Sequence, residues 1–134
     1  MEKYLYFRTE ADEDADDDIA RSALYPVSSF VGVHPTNDTE LTLCFLPQIR
    51  NSGGVTDGQD FTNNDTIKLT VTAGKHTEVM QDIVSAINGG PHSDGFIVVA
   101  DDATTDADNT TKAAIYVSSH ITACDAIAIG AAFA

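Results

Sequence analysis

The stretch 65–102 constrains the fold of this chain more than any other, because it contains two different hydrophobic periodicities. Over 66–72, apolar and polar residues alternate, which predicts a half-buried strand. Over 76–88, apolar residues recur at steps of three and four, which predicts a helix with one buried face. The sequence Asn-Gly-Gly-Pro then ends the helix, and the unbroken apolar run 96–99 predicts a central strand covered on both faces. The stretch is therefore predicted to form a strand, a helix and a second strand.

Shorter strand signals surround this unit. Residues 4–7 predict an N-terminal strand with its two tyrosines on one face and Leu and Phe on the other. Residues 23–34 predict an extended segment with a bulge after Pro26, since proline is confined to edges and bulges within sheets. Residues 40–46 predict a strong strand that forms a hairpin with that segment. Residues 113–122 predict the last strand.

We expect one α+β domain over 1–134, built on a mixed, mainly antiparallel β-sheet with one helix, at about 76–88, packed on it. A chain of 134 residues has the length for a single core. Crowded carboxylates predict an exposed acidic loop at 10–18, and Gly, Asn and Asp residues predict a long polar loop at 47–65. Stretch 65–102 is long enough for a parallel crossover, but the flanking hairpin signals favour the mixed sheet.

The charge balance excludes several classes of partner. The formal net charge is -14, from 21 acidic against 7 basic side chains. Nucleic acids and anionic membranes reward lysine and arginine, so we expect neither as a partner. A saline setting suits such a balance, because salt screens the repulsion among carboxylates. We also expect no cleaved signal peptide and no membrane span, since the longest apolar run is too short to cross a bilayer.

The aspartate-rich loops match the pattern of a calcium loop only in part, since such a loop needs several oxygen ligands at set positions. Asp12, Asp14 and Asp16 have the required spacing. Asp17, however, stands where the sharp turn needs glycine, and Ala23 stands where a bidentate glutamate belongs. A solvated acidic loop is the favoured interpretation, and a structural calcium ion is the alternative.

Other residues that carry chemistry in proteins do not form a complete site in the sequence. His120 and Cys124 are four positions apart, but a zinc site needs at least one further ligand and the chain has no Cys-x-x-Cys pair. Cys44 and Cys124 both lie among apolar residues, which predicts two buried thiols and no disulfide. Gly74 and Lys75 lack the rest of a phosphate-binding loop. We therefore expect no enzyme, no cofactor and no metal.

Four segments resemble small acidic proteins of marine tailed bacteriophages, including cyanophages: Tyr-Pro-Val-Ser-Ser-Phe-Val-Gly at 25–32, Thr-Ile-Lys-Leu-Thr-Val-Thr at 66–72, Lys-His-Thr-Glu-Val-Met at 75–80, and Ile-Val-Ser-Ala-Ile-Asn at 83–88. The likeness covers about the middle two thirds of the chain. It implies a structural virion component, with capsid decoration as the leading role. In that role the partners would be the major capsid protein and the chain itself, as a homo-oligomer such as a trimer. The resemblance carries over no functional residues.

The same resemblance sets the expected location and the alternatives. A decoration protein is made in the host cytoplasm and lies on the capsid surface of the virion. The alternatives are a neck or tail structural protein, a soluble binding or host-modulating phage protein that is absent from particles, and a small hydrolase or metal-dependent enzyme. Because an assembly protein buries apolar area between chains, we expect interface contacts from apolar residues that a lone core does not need. These residues are Tyr4, Tyr6, Phe7, Phe61, Ile127, Ile129 and Phe133.

Overall fold

The computed structural model describes residues 3–12, 17, 21–47, 65–89, 95–105 and 110–128. The elements in this part of the chain are the strands β1 (Tyr4–Arg8), β2 (Ser22–Pro26), β3 (Phe30–Asn37), β4 (Glu40–Phe45) and β5 (Asp65–Val71), the helix α1 (His76–Gly89), and the strands β6 (Phe96–Asp101), β7 (Ile115–Tyr116) and β8 (Ile121–Ala128).

The strands form two four-stranded sheets. The first has the order β2-β1-β6-β7 and the second has the order β3-β4-β5-β8. All neighbouring strands are antiparallel except β1 and β6, which are parallel. The predicted α+β class, with mainly antiparallel strands and a single helix, is confirmed. The strands are divided between two sheets, and β5 and β6 lie in different ones, so the predicted strand-helix-strand unit links the sheets.

The core lies where the inner faces of the two sheets meet. The ring of Phe45 in β4 stacks on that of Tyr25 in β2, with centroids 4.2 Å apart and an interplanar angle of 14°. Phe7 in β1 packs edge-on against Phe45 at 5.8 Å. Tyr25 also donates a hydrogen bond of 2.7 Å to the buried carboxylate of Asp65. These contacts join the first sheet to the second, because Tyr25 and Phe7 belong to one and Phe45 and Asp65 to the other.

The chain passes from the first sheet to the second through a short 3-10 helix at Val27–Ser29. Pro26 ends β2 with a backbone φ of -66°, and the Ser29 hydroxyl donates a hydrogen bond of 2.9 Å to the Pro26 carbonyl. The prediction of one extended segment over 23–34 with a bulge after Pro26 is therefore wrong: this turn divides the segment into β2 and β3, which lie in different sheets. The strand ends at proline because this residue has no backbone N–H to donate to a neighbouring strand. The chain then continues into the second sheet.

The helix α1 covers part of the core with Val79, Ile83 and Ala86. Its periodicity predicts burial of Val79 and Ile83, but it also places Val84 on the same face, and Val84 is 51% exposed. At its start, Gly74 adopts a φ of 80°, a left-handed conformation in which glycine avoids the steric penalty of a side chain. Nε2 of His76 lies 2.8 Å from the carbonyl oxygen of Asn37 and so ties the helix to the β3–β4 turn. The helix prediction at about 76–88 is confirmed within one residue of either end.

The predictions for β6 and for the two polar loops have different outcomes. Phe96 of β6 is 41% exposed, so the prediction that both faces of this strand are covered is wrong. Phe96 is the first residue of β6 and lies beside Tyr4, which is itself 40% exposed, whereas Asp101 at the other end of the strand is buried. Most of the polar loop 47–65 lies outside those residues, as does much of the acidic loop 10–18. No helix in the described part of the chain is long and apolar enough to cross a membrane.

Candidate functional site

The outer side of the first sheet carries large apolar side chains in place of the polar ones that usually face solvent. In β1, Leu5 and Phe7 are fully buried, so the strand pleat directs Tyr4 and Tyr6 to the opposite side. The same alternation occurs in β2 and over 96–99 in β6. The sheet therefore has two apolar faces, of which one packs in the core.

The register of the strands brings these outer side chains together. Tyr6 pairs with Leu24 of β2 on one side and with Val98 of β6 on the other, while Tyr4 pairs with Phe96. We call these five residues the apolar face. Tyr4, Leu24 and Phe96 are 40%, 42% and 41% exposed. Because exposed apolar side chains that adjoin one another mark contact surfaces more often than scattered ones do, this face is the candidate site.

Ring contacts hold the apolar face in a defined shape. The rings of Tyr6 and Phe96 lie 5.2 Å apart at an angle of 34°. The guanidinium of Arg8 lies 5.4 Å from the Tyr6 ring centroid, a cation–π geometry. Nε and Nη2 of Arg8 in turn lie 3.0 Å from Oδ1 and Oδ2 of Asp101. The aromatic rings are thus placed before any partner arrives, which lowers the entropy cost of binding.

The apolar face is also nearly free of net charge. Among the described strand residues on this side of the first sheet, the charged ones are Arg8 and Asp101, which pair with each other. Their side chains are only 12% and 5% exposed. On a chain with a formal net charge of -14, this region is therefore an exception.

The outer side of the second sheet has the opposite character. It carries Glu40 of β4, Lys68 of β5 and Asp125 of β8 among threonine and alanine side chains. A hydrogen bond between the carboxyl groups of Glu40 and Asp125 lowers the pKa of Glu40 and raises the pKa of Asp125. A second hydrogen bond, from Asn37, lowers the pKa of Glu40 further. This side is polar and acidic, so the two outer sides of the molecule suit different partners.

Asp102 is a half-buried carboxylate that connects the sheets. Its Oδ1 accepts hydrogen bonds from the Tyr116 hydroxyl at 2.7 Å and from the Cys124 backbone N–H at 2.9 Å. Asp102 follows β6 in the first sheet, whereas Cys124 lies in β8, an edge strand of the second sheet. The carboxylate satisfies an N–H on that edge, and a capped edge is less open to pairing with another chain.

Burial shifts the pKa values of Asp102 and of its two neighbours in the same direction. It raises the pKa of Asp102, against the hydrogen bonds from Tyr116 and Cys124, which lower it. Burial also raises the pKa of the Cys124 thiol and of the Tyr116 hydroxyl, and the neighbouring Asp102 charge adds to both effects. Both groups are therefore protonated at neutral pH. A protonated, buried thiol is a poor nucleophile, so this arrangement is suited to a structural role.

Replacing Asp102 with leucine is expected to lower the free energy of unfolding by about 2 kcal/mol, because it leaves the Cys124 N–H and the Tyr116 hydroxyl without their acceptor. Asp102→Asn is the matched control. Its single amide oxygen can accept both hydrogen bonds at the Oδ1 position, so a loss of less than about 1 kcal/mol is expected. Urea unfolding at pH 7 measures both, and equal losses would contradict the role of the acceptor.

The parent and Asp102→Asn also test the direction of the Asp102 pKa shift. Its pKa is higher in the folded protein than in the unfolded chain, so the folded state binds the proton more tightly. The stability that Asp102 contributes therefore increases as the pH falls through its pKa in the folded protein. It is fully present below the pKa of the same group in the unfolded chain. The parent should gain stability relative to Asp102→Asn as the pH is lowered from 7 to 4. A constant difference across that range would contradict the shift.

The candidate metal ligands do not assemble within the described residues, where no group of three or more His, Cys, Asp or Glu side chains could hold an ion. Cys124 is buried in the core and His120 lies in the turn before β8. Cys44 and Cys124 are both free thiols, and Cys44 is only partly buried. Of the proposed calcium ligands Asp12, Asp14 and Asp16, only Asp12 lies among the described residues.

The residues that the sequence suggested for an interface fall into three groups. Tyr4 and Tyr6 lie on the apolar face. Phe7 and Ile127 are 0% and 7% exposed and pack in the core, so they are not available on the surface of this chain. The remaining three, Phe61, Ile129 and Phe133, lie outside the described residues.

Sequence analysis missed Leu24, Phe96 and Val98. The signal for Phe96 and Val98 was present in the unbroken apolar run, which was interpreted as a strand covered on both faces. Such a run equally fits a strand with one covered face and one apolar face that meets solvent. For Leu24, the signal was its position between the alternate core residues Ala23 and Tyr25.

Comparisons with known proteins do not add to this site: no protein-family model, no curated protein and no solved structure matches the chain. The apolar face is therefore the observation from which a function can be argued. Its chemistry is that of protein contact, since aromatic and aliphatic side chains are enriched at the centres of protein interfaces and charged ones are depleted there.

Proposed function

We propose that this chain is a structural component of a tailed-phage particle, and that capsid decoration is its role. The observation that carries the proposal is the apolar face, a preformed surface suited to contact with another protein. Tyr4 and Phe96 are paired, exposed neighbours on this face, and Tyr6 lies between Leu24 and Val98 with its ring against that of Phe96. Aromatic side chains of this kind dominate the binding energy of interfaces.

The sequence resemblance supplies the biological setting for this surface. Small acidic virion proteins bind the particle through protein–protein contacts, and an acidic exterior keeps such a protein soluble before assembly. The formal net charge of -14 fits that requirement. The contacts of Asp102 favour a structural role over catalysis, because the Cys124 thiol beside it is buried and protonated and the Tyr116 hydroxyl is protonated and donates to the carboxylate.

The direct test is quantitative mass spectrometry of particles purified from a phage that encodes this chain. We expect the chain in the particles, at a copy number in a fixed ratio to the major capsid protein. Few copies per particle would favour a neck or tail protein. Absence from particles that contain every other structural protein would contradict a virion role and favour a soluble binding or host-modulating protein.

The second part of the test asks whether the chain stabilises the head. Particles that lack it are expected to release DNA at a lower temperature than complete ones, because the contacts between capsid subunits and the bound protein are missing. Adding back the purified protein should restore the release temperature. Particles that are equally stable with and without the chain would contradict the decoration role.

A further inference from the structure

The last turn of α1 contains Asn88 followed by Gly89, a pair of residues that is prone to spontaneous loss of the asparagine side-chain amide. In this reaction, the backbone nitrogen of the following residue attacks the side-chain carbonyl carbon of asparagine. A following glycine favours the attack, because it has no side chain and its backbone is the least restricted. Neither residue takes part in the proposed function, so an inference about this pair stands apart from it.

The structure leaves both reacting groups accessible. Asn88 and Gly89 are exposed, and a Cβ atom added at Gly89 would meet no other described atom within 4 Å. The side chain of Asn88 forms no hydrogen bond with another described residue. The Asn88 amide can therefore turn toward the Gly89 nitrogen without breaking a contact within the described part of the chain.

Asn37, at the end of β3, is a second exposed asparagine, and the structure holds its amide in place. Its Nδ2 donates a hydrogen bond of 2.7 Å to Oε1 of Glu40. Its Oδ1 accepts a hydrogen bond of 3.0 Å from the Thr39 backbone N–H. The Asn37 amide cannot turn toward the next backbone nitrogen without losing both hydrogen bonds. Exposure alone does not distinguish Asn37 from Asn88, whereas hydrogen bonding does.

We propose that Asn88 is a site of spontaneous deamidation, which occurs when the end of α1 opens. The Gly89 nitrogen forms a bond to Cγ of Asn88 and loses its proton, while the bond between Cγ and Nδ2 breaks and ammonia leaves. Water then opens the resulting cyclic imide at either of its carbonyl carbons, giving aspartate or isoaspartate. Water is the only co-reactant. The product carries one more negative charge, so the formal net charge changes from -14 by one unit to -15.

Opening of the helix end sets the rate, because the Gly89 nitrogen must come within about 3–3.5 Å of Cγ of Asn88 to react. Helical geometry holds this nitrogen in the backbone of the last turn, and helix ends open more easily than helix centres. Nζ of Lys3 donates a hydrogen bond to the carbonyl oxygen of Ile87 in the same turn. A cation at the C-terminal end of a helix stabilises that end. Lys3 therefore slows the reaction by keeping the turn closed.

Peptide mapping by mass spectrometry of the full chain, incubated at pH 8 and sampled over several weeks, measures the loss of the amide at each asparagine. The variant Asp38→Gly supplies the matched control, because it places a glycine after Asn37, as Gly89 follows Asn88. In the folded variant, Asn88 is expected to react at least about tenfold faster than Asn37, since a helix end opens more readily than a hydrogen-bonded turn. In concentrated urea, where neither site is ordered, the two asparagines should react at similar rates.

Lys3→Met in the same background tests the opening of the helix end. It is expected to raise the rate at Asn88 about two- to fivefold, the factor that a cation at a helix C-terminus is worth, and to leave the rate at Asn37 unchanged. Equal acceleration at both asparagines would show that the reaction occurs in the unfolded chain and would overturn the proposal. So would an Asn88 that keeps its amide in the folded protein, equal rates at the two asparagines before urea is added, or a rate at Asn88 that Lys3→Met does not change.

Discussion

Phe45→Ala is expected to lower the free energy of unfolding by about 3–5 kcal/mol, the usual cost of truncating a buried phenylalanine. Phe45 is fully buried, and its ring contacts those of Tyr25, Phe7 and Phe30 at 4.2, 5.8 and 5.3 Å. Two of these partners belong to the other sheet. The substitution therefore removes the contact that joins the sheets, in addition to opening a cavity.

Leu46→Ala is the matched control for this prediction. Leu46 is the next residue along the chain, but its side chain is 53% exposed. A change of no more than about 0.5 kcal/mol is expected there. Urea denaturation of both variants and the parent, followed by far-UV circular dichroism, gives the comparison. Similar losses for the two substitutions would show that the packing between the sheets at Phe45 is not what stabilises the fold.

Arg8→Met is expected to lower the free energy of unfolding by about 3 kcal/mol, because it leaves the buried carboxylate of Asp101 without its partner. Nη2 of Arg8 donates a hydrogen bond of 3.0 Å to Oδ2 of Asp101, and Nε lies 3.0 Å from Oδ1 as an ion-pair contact. The side chains are 12% and 5% exposed, so water compensates little. Methionine keeps much of the apolar length of the side chain, which confines the change to the charge and its hydrogen bonds.

The double variant Arg8→Met, Asp101→Asn tests whether the loss comes from the stranded charge. Asparagine removes the charge, and its amide oxygen can still accept the hydrogen bond that Asp101 accepts from the Ala103 N–H at 3.0 Å. The double variant should therefore be more stable than Arg8→Met, by about 1 kcal/mol or more. Strict additivity of the two single changes would contradict an energetic coupling between Arg8 and Asp101.

This ion pair has a consequence for the apolar face as well. Arg8 holds its guanidinium against the Tyr6 ring while it pairs with Asp101. The pair therefore fixes one end of the face and neutralises the only charges described there. The chain has 21 acidic side chains, so a side of a sheet without any acidic residue would require an uneven distribution of charge. Pairing Asp101 with Arg8 leaves this side without net charge although it carries an acidic residue.

Local patterns predicted much of the fold. The periodicity at 76–88 identified α1, and alternation identified β5 and the two faces of β1, because these signals depend on residues that are near one another in sequence. Alternation also placed Tyr4 and Tyr6 together on one side of a strand. Composition identified the acidic character of the surface. None of these conclusions required knowledge of which strands are neighbours.

Because sequence patterns do not show which strands are neighbours, the candidate site could be predicted only in part. Tyr4 and Tyr6 were expected at an interface, but Phe7 was grouped with them although it faces the core. The sequence pattern places Phe7 on the opposite side of the strand, and it does not say which side is covered. That depends on the position of β4, whose Phe45 packs against Phe7.

By itself, the sequence determined the helix, the strands β1, β4, β5 and β6 and the excess of negative charge, since each follows from neighbouring residues and composition. It did not separate β2 from β3 or β7 from β8, which were predicted as single strands over 23–34 and 113–122. Only the tertiary structure decided the division into two sheets and the parallel pairing of β1 with β6. That pairing brings Tyr4 beside Phe96, although the two are separated by most of the chain. The apolar face exists only after the pairing forms, because contacts between distant residues depend on which strands meet, and no local pattern encodes that choice.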